Sequence, residues 1–160
     1  MSESPRIWVD ADACPGPIAE ILYRAAQRCK IHLHLVANKT LRPPDSPFIH
    51  TQRVQKGFDV VDDIIAQGAG PGDLVVTADI PLAGRVVDKG AWGLNPRGEL
   101  YTRENIQARL SLRNLLYELR ESGVQTGGPA PLHQRDRNAF AAQLDRFLNG
   151  RLGEGDHIPR

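Results

Sequence analysis

Apolar positions along the chain fall into short runs that switch between two periods. Ile7–Val9 is a brief apolar run, and "IHLHLVA" alternates before it becomes fully apolar, so both predict strands. Between them "IAEILYRAAQRC" places Ile18, Ile21, Leu22 and Ala25 at i, i+3, i+4 and i+7, which predicts a helix with Pro17 in its first turn. The proline-rich "NKTLRPPDSP" reads as a loop, followed by a short strand in "FIHTQRVQ". "DVVDDIIAQ" has helical spacing until "GAGPGD" breaks it. "DLVVTAD" then reads as a buried strand, "PLAGRVVDK" as a helix, and "AWGLN" as the last strand before a turn at "PRGE". From Thr102, "RENIQARLSLRNLLYELRE" predicts a long helix whose apolar face is Ala108, Leu112, Leu115, Leu116 and Leu119. "TGGPAPLHQ" reads as a loop, and Asp136 is placed as the cap of a final helix, "RNAFAAQLDRFL".

Strands separated by helices imply an α/β protein with a mostly parallel sheet and helices on both faces, a three-layer α/β/α sandwich. The 160 residues suit one domain, assigned to residues 1–150, with 151–160 read as a flexible tail. No apolar run approaches the roughly 18 residues of a membrane span, so no membrane partner is expected. "MSESPRIW" lacks the basic and apolar sections of a secretory leader. Cys14 and Cys29 bracket the first helix, about 20 Å apart at 1.5 Å per residue, which rules out a bridge. A reduced, cytoplasmic protein is the expectation.

The net charge of +1 is uninformative, but its distribution is not. Residues 24–56 hold Arg24, Arg28, Lys30, Lys39, Arg42, Arg53 and Lys56 against Asp45 alone. Residues 57–82 hold Asp59, Asp62, Asp63, Asp73 and Asp79 with no Lys or Arg. Such blocks either neutralise each other across the fold or form a polyanion-binding surface beside an acidic pocket for cations.

The acidic positions are informative because open α/β sheets bind ligands at the carboxyl ends of their strands. Asp10 and Asp12 end the first strand two residues apart, and on a strand would share a face and repel. Asp79 ends "LVVTAD", and Asp59, Asp62 and Asp63 share one helix face. Each group has a structural alternative as a helix cap or as ordinary helix-N-terminal charge. One cause explains all three groups together: oxygen-rich sites hold hard divalent cations, and paired cations activate water against a phosphodiester. No Cys–His spacing resembles a zinc site, and His32 and His34 read as structural or surface groups.

"WVDADACP", "FDVVDDI", "GDLVVTADIPLA", "LNPRGE" and "GGPAPLHQRDRNAF" together resemble the YaiI/YqxD family of bacterial proteins, from about Ile7 to Leu148. That family is regarded as PIN-domain-like, so the resemblance implies a three-layer fold, an acidic cluster at one sheet edge and an Mg²⁺- or Mn²⁺-dependent ribonuclease. Carried over by residue, the catalytic and metal-holding set is Asp10, Asp62 and Asp79, joined by Asp12, with Asp59 and Asp63 as neighbours. RNA is the expected partner ahead of DNA. Lys39, Arg42 and Arg53 are candidates for phosphate contacts, together with an arginine stripe of Arg109, Arg113 and Arg120 that spans about 40° of the long helix. Thr77 and Asn95 are candidates for polar contacts near the edge.

Two alternatives stand beside this reading. A non-catalytic nucleic-acid-binding or structural module would keep the acidic edge without turnover. A haloacid-dehalogenase-type phosphatase also opens with Asp-x-Asp, but its Ser/Thr-ending strand precedes its later acidic pair, whereas Thr77 follows Asp62 and Asp63. A cysteine phosphatase is excluded because Glu20 occupies the position where the phosphate loop needs arginine.

Overall fold

The computed structural model describes residues 4–57, 59–127 and 130–153. Six strands and five helices follow one another as β1 (Ile7–Asp10), α1 (Gly16–Cys29), β2 (Leu33–Ala37), β3 (Ile49–Arg53), α2 (Val60–Gly68), β4 (Leu74–Val76), α3 (Ile80–Asp88), β5 (Trp92–Leu94), β6 (Leu100–Tyr101), α4 (Arg103–Glu121) and α5 (Gln134–Leu148). The expected α/β sandwich is found.

All six strands form one sheet in the order β3-β2-β1-β4-β5-β6, parallel except for β6. Strand alternation divides the core in two. Ile7, Val9, Leu33, Leu35, Leu74 and Val76 pack with Ile18 and Leu22 of α1 and Phe140 and Leu144 of α5. Trp8, Val36 and Val75 point the other way, onto Ile65 of α2 and Leu82 and Val86 of α3. The central strands are therefore apolar on both faces, as a covered parallel sheet requires.

The strand order reverses at β1. The chain builds outward from β1 to β3, then α2 returns it to β4 on the other side of β1. This reversal opens a crevice beyond the carboxyl ends of β1 and β4, where doubly wound sheets bind ligands.

Four details differ from the sequence expectations. β6 follows "AWGLN" as an antiparallel edge pair of only two residues, too short to leave a periodic signal. The last helix starts at Gln134, so Asp136 lies inside its first turn, where its carboxylate accepts from the His133 N–H at 2.9 Å. The apolar face proposed for α4 is mostly uncovered, with Leu112 and Leu115 half exposed, while Ile106 is the buried contact. Length explains this: nine-residue α3 offers about 14 Å of surface to a helix of about 28 Å. Finally, Leu152 of the expected tail is buried with the α1 and α5 core, while residues 154–160 lie outside the described residues.

Candidate active site at the carboxyl edge of the sheet

Asp10 is the last residue of β1, and a 3-10 turn at Ala11–Ala13 follows at once. Asp12 therefore does not continue the strand alternation. The two carboxylates leave β1 toward opposite neighbours. Asp10 Oδ2 accepts from the Thr77 hydroxyl beyond β4 at 3.1 Å, whereas Asp12 Oδ2 accepts from the Asn38 N–H beyond β2 at 2.8 Å. The repulsion that the i, i+2 spacing implied is reduced by this divergence. The other Asp12 oxygen, Oδ1, is buried without a hydrogen-bond partner. A carboxylate oxygen stripped of water and given no donor is costly.

Thr77 is only 1 % exposed and organises the β4 side. Its hydroxyl donates to Asp10 and accepts from the Asp79 N–H at 2.9 Å, so one side chain fixes the spacing between two acidic segments. Asp79 is the N-cap of α3, with Oδ1 accepting from Leu82 N–H at 2.9 Å and Pro81 in the first turn. The capping alternative is thus correct for Asp79, and it does not exclude a second role. Asp62 stands in the first turn of α2, with Asp59 as N-cap in the left-handed conformation at φ 63°.

The carboxyls of these segments lie close enough for their charges to shift the ionisation of Asp10 and Asp62. Burial, then Asp79, Asp10 and Asp59, push Asp62 up to about 6. Asp10 is also raised, chiefly by burial, then by Asp79 and Asp12, against the lowering effect of the Thr77 hydroxyl. Burial raises the Tyr101 hydroxyl, the charge of Asp79 adding to it, and that hydroxyl accepts from Asn95 at 3.0 Å. Asn95 is thereby committed to Tyr101 and to the Arg97 N–H. Cys14 is pushed up to about 12, by burial first and Asp10 second, so it stays a protonated thiol.

Asp63 points away from this group. It forms a 2.8 Å ion pair with Arg85 of α3, and both side chains are about half exposed. Asp73, the remaining acid of the same block, is a structural hub that sequence reading did not single out. It is 4 % exposed and receives donors from Arg6, Trp8 and Gly70.

Among the described residues, no three His, Cys, Asp or Glu side chains are already drawn together closely enough to enclose an ion. The donors present nevertheless suit a hard divalent cation, being carboxylate oxygens with one buried and unpartnered, and the neighbouring Cys14 thiol stays protonated.

The basic candidates separate into two groups. Lys39, Arg42 and Arg53 are exposed, and Arg53 donates to Thr40 at 3.3 Å, so the end of β3 and the loop after β2 are joined. This loop begins at Asn38, on Asp12 itself, and so places cations beside the acidic edge. Arg109 is ion-paired with Glu99 in the turn after β5, at the same edge. Arg113, one helical turn further along α4, is exposed.

His32 and His34 prove to be parts of a ring stack. Trp8, His34, His50 and His32 follow one another at centroid separations of 4.6, 4.9 and 5.0 Å. Burial first, then the positive fields of His50, Arg6 and His32, lower His34 to about 4, so it is neutral at pH 7.

The raised Asp62 makes a testable statement about stability. A carboxyl held above its unfolded value binds its proton more tightly in the native state. Stability therefore falls as pH rises through the window from about 4 to about 6, and stays lower above it. Asp62 is partly exposed, which screens the effect to roughly 1 kcal/mol. Asp62→Asn is expected to be more stable than wild type by that amount in urea unfolding at pH 8, and equal to it at pH 4. A gap of the same size at both pH values would show that ionisation is not its cause.

Among the described residues, no helix is long and apolar enough to cross a membrane. No solved structure matches the chain. The family described as Uncharacterized BCR, YaiI/YqxD family matches residues 8–150. The chain is 63 % identical over 142 residues to a UPF0178 protein of Aeromonas hydrophila, covering 89 % of this chain and 95 % of that one. It is 62 % identical over 148 residues to a UPF0178 protein of Solidesulfovibrio magneticus, covering 92 % and 99 %.

Proposed function

The chain belongs to the YaiI/YqxD family of uncharacterised bacterial proteins, and we propose that it is a divalent-cation-dependent hydrolase of phosphodiester bonds acting on RNA. The observation that carries this reading is that the charges of Asp10, Asp62 and Asp79, from three separate segments, act on one another at the crevice of the strand-order reversal and raise Asp10 and Asp62, with Asp12 beside Asp10. Three mutually repelling carboxyls plus a buried, unpartnered Asp12 oxygen are the donor set that a hard cation relieves.

Asp10, Asp12, Asp62 and Asp79 would hold Mg²⁺ or Mn²⁺ through their carboxylate oxygens. The cation would lower the pKa of a bound water and neutralise charge on the leaving oxygen. Thr77 holds the Asp10 carboxylate and the Asp79 backbone, while the Leu82 N–H holds the Asp79 carboxylate. Lys39, Arg42 and Arg53 offer positive charge to the phosphates on the β2–β3 side, and Arg113 does so from α4. Thr77 weighs against the phosphatase reading, since its hydroxyl is committed to Asp10 and Asp79 rather than to an incoming phosphate.

A second reading has one observation in its favour. The carboxyls are not closed around a point in space, and Asp79 Oδ1 is committed to the α3 cap, as in a nucleic-acid-binding module without turnover.

The deciding experiment is incubation of end-labelled single-stranded RNA with the protein and Mn²⁺. Cleavage that EDTA abolishes and excess Mn²⁺ restores is the expected result. Intact RNA in the presence of a folded protein that binds it would establish the binding module instead.

A further inference from the structure

The sequence motif "QRDRNAF" is left unused by the acidic site, yet it forms half of the cleft between α1 and α5. This cleft measures about 420 Å³ and is lined by Pro17, Glu20 and Arg24 of α1 and by Gln134, Arg137 and Asn138 of α5. Its chemistry is that of an anion site. Arg137 Nε is buried without a hydrogen-bond partner. A guanidinium N–H in that condition is an unmet donor of the kind that a phosphate oxygen satisfies.

The surroundings favour the same charge. Arg24 is exposed on the opposite wall, and no acidic side chain among the described residues is paired with Arg24 or Arg137. Glu20 is the one carboxylate in the lining, against two arginines. The two acids of α5 lie outside the lining and are paired elsewhere, Asp136 with Arg97 at 2.9 Å and the His133 N–H, Asp145 with Arg28 at 3.7 Å. Pro17 and Gln134 belong to the first turns of their helices, so two positive dipole ends border the opening. Gln134 and Asn138 are hydrogen-bonded to each other at 2.9 Å, which orients two further polar groups there.

Position links the cleft to the acidic edge. Pro17 follows Asp12 by five residues, so even extended chain keeps the two within about 17 Å. A strand cut at the carboxylates has phosphates within that reach.

We propose that the α1–α5 cleft is a phosphate subsite that grips the RNA strand a short way from the bond held at the acidic edge. Arg24 and Arg137 form the clamp, with Gln134 and Asn138 at its mouth. This rests on the reading of the acidic edge as an RNA site, and it joins Arg24 of the basic block to Gln134, Arg137 and Asn138, which lie outside the charge blocks of the sequence.

The test measures binding in EDTA, where the carboxylates hold no cation, by fluorescence anisotropy of a labelled single-stranded RNA across a salt series. The R24Q/R137Q double variant is expected to bind about tenfold more weakly. Its log–log salt slope should be shallower by about 0.7, the counterion release of one phosphate on a single strand. Arg137 is half buried, so Asn138→Asp, an exposed change that adds negative charge, gives the same weakening without relying on the double variant's folding. Wild-type affinity and slope in the folded variants would overturn the proposal, as would a wild type that binds inorganic phosphate at the cleft but no RNA. Cleavage is scored separately. A wild type that grips RNA through these residues but cuts none would sink the hydrolase reading and leave the subsite standing.

Discussion

Asp79→Asn is expected to abolish Mn²⁺ binding and RNA cleavage while leaving the fold intact. The two duties of Asp79 make the substitution informative. As N-cap of α3 it needs only a side-chain oxygen for the Leu82 N–H, and asparagine supplies one equally well. As a cation ligand it needs negative charge, which asparagine lacks. Replacing its charge removes the residue that lies against both Asp62 and Asp10. The affinity loss should reach at least the 10- to 100-fold range seen when groups around a metal site are altered. Asp79→Ala removes the cap as well and should cost about 1 kcal/mol of stability in addition. Calorimetric Mn²⁺ titration and urea unfolding, run on both variants, separate the duties. Wild-type Mn²⁺ affinity in Asp79→Asn would reduce Asp79 to a helix cap.

Asp73→Ala is expected to give the largest stability loss of any single carboxylate in the chain. Its Oδ1 accepts from the Arg6 N–H at 2.9 Å. Its Oδ2 accepts from the Arg6 guanidinium at 3.1 Å, Trp8 Nε1 at 3.2 Å and Gly70 N–H at 3.0 Å. Removing it strands donors from the chain entering β1, from the core indole and from the turn before β4. Leaving buried partners of a charged group unsatisfied costs about 3–5 kcal/mol. That is a large share of the roughly 5–15 kcal/mol by which a domain is stable. At about 2–4 °C per kcal/mol for this size, the melting temperature should fall by about 10 °C. Tryptophan fluorescence during urea unfolding, with Trp92 replaced by Phe in both proteins so that Trp8 alone is read, reports the change at its source. A loss under about 1 kcal/mol would mean that water reaches these donors and replaces the carboxylate.

Asp73 and Asp79 look alike in the sequence: each is a lone aspartate at one end of the "LVVTA" run. One precedes the strand and the other follows it, and in a parallel sheet that places them at opposite edges. The amino-terminal acid became a buried structural hub, and the carboxyl-terminal acid joined the candidate site. Asp62 and Asp63 divide for a different reason. Adjacent helical residues are turned about 100° apart, so when Asp62 faces Asp79, Asp63 reaches Arg85.

The amino-acid sequence by itself determined the order of strands and helices apart from the two-residue β6, the layered α/β class and the placing of Asp10 and Asp79 at strand ends. These are consequences of local periodicity and of proline and glycine at the boundaries, which operate within a few residues. It also carried the family, through short motifs spread over the chain. Only the tertiary structure decided which partner each carboxylate has, that Asp12 turns toward β2, that α4 outruns its support on α3, and that α1 and α5 enclose a cleft with an unmet arginine. Asp10 and Thr77 stand 67 residues apart, as do Arg6 and Asp73. Contacts at that separation follow from strand order, and strand order is set by how whole layers pack, which no local window of the sequence contains.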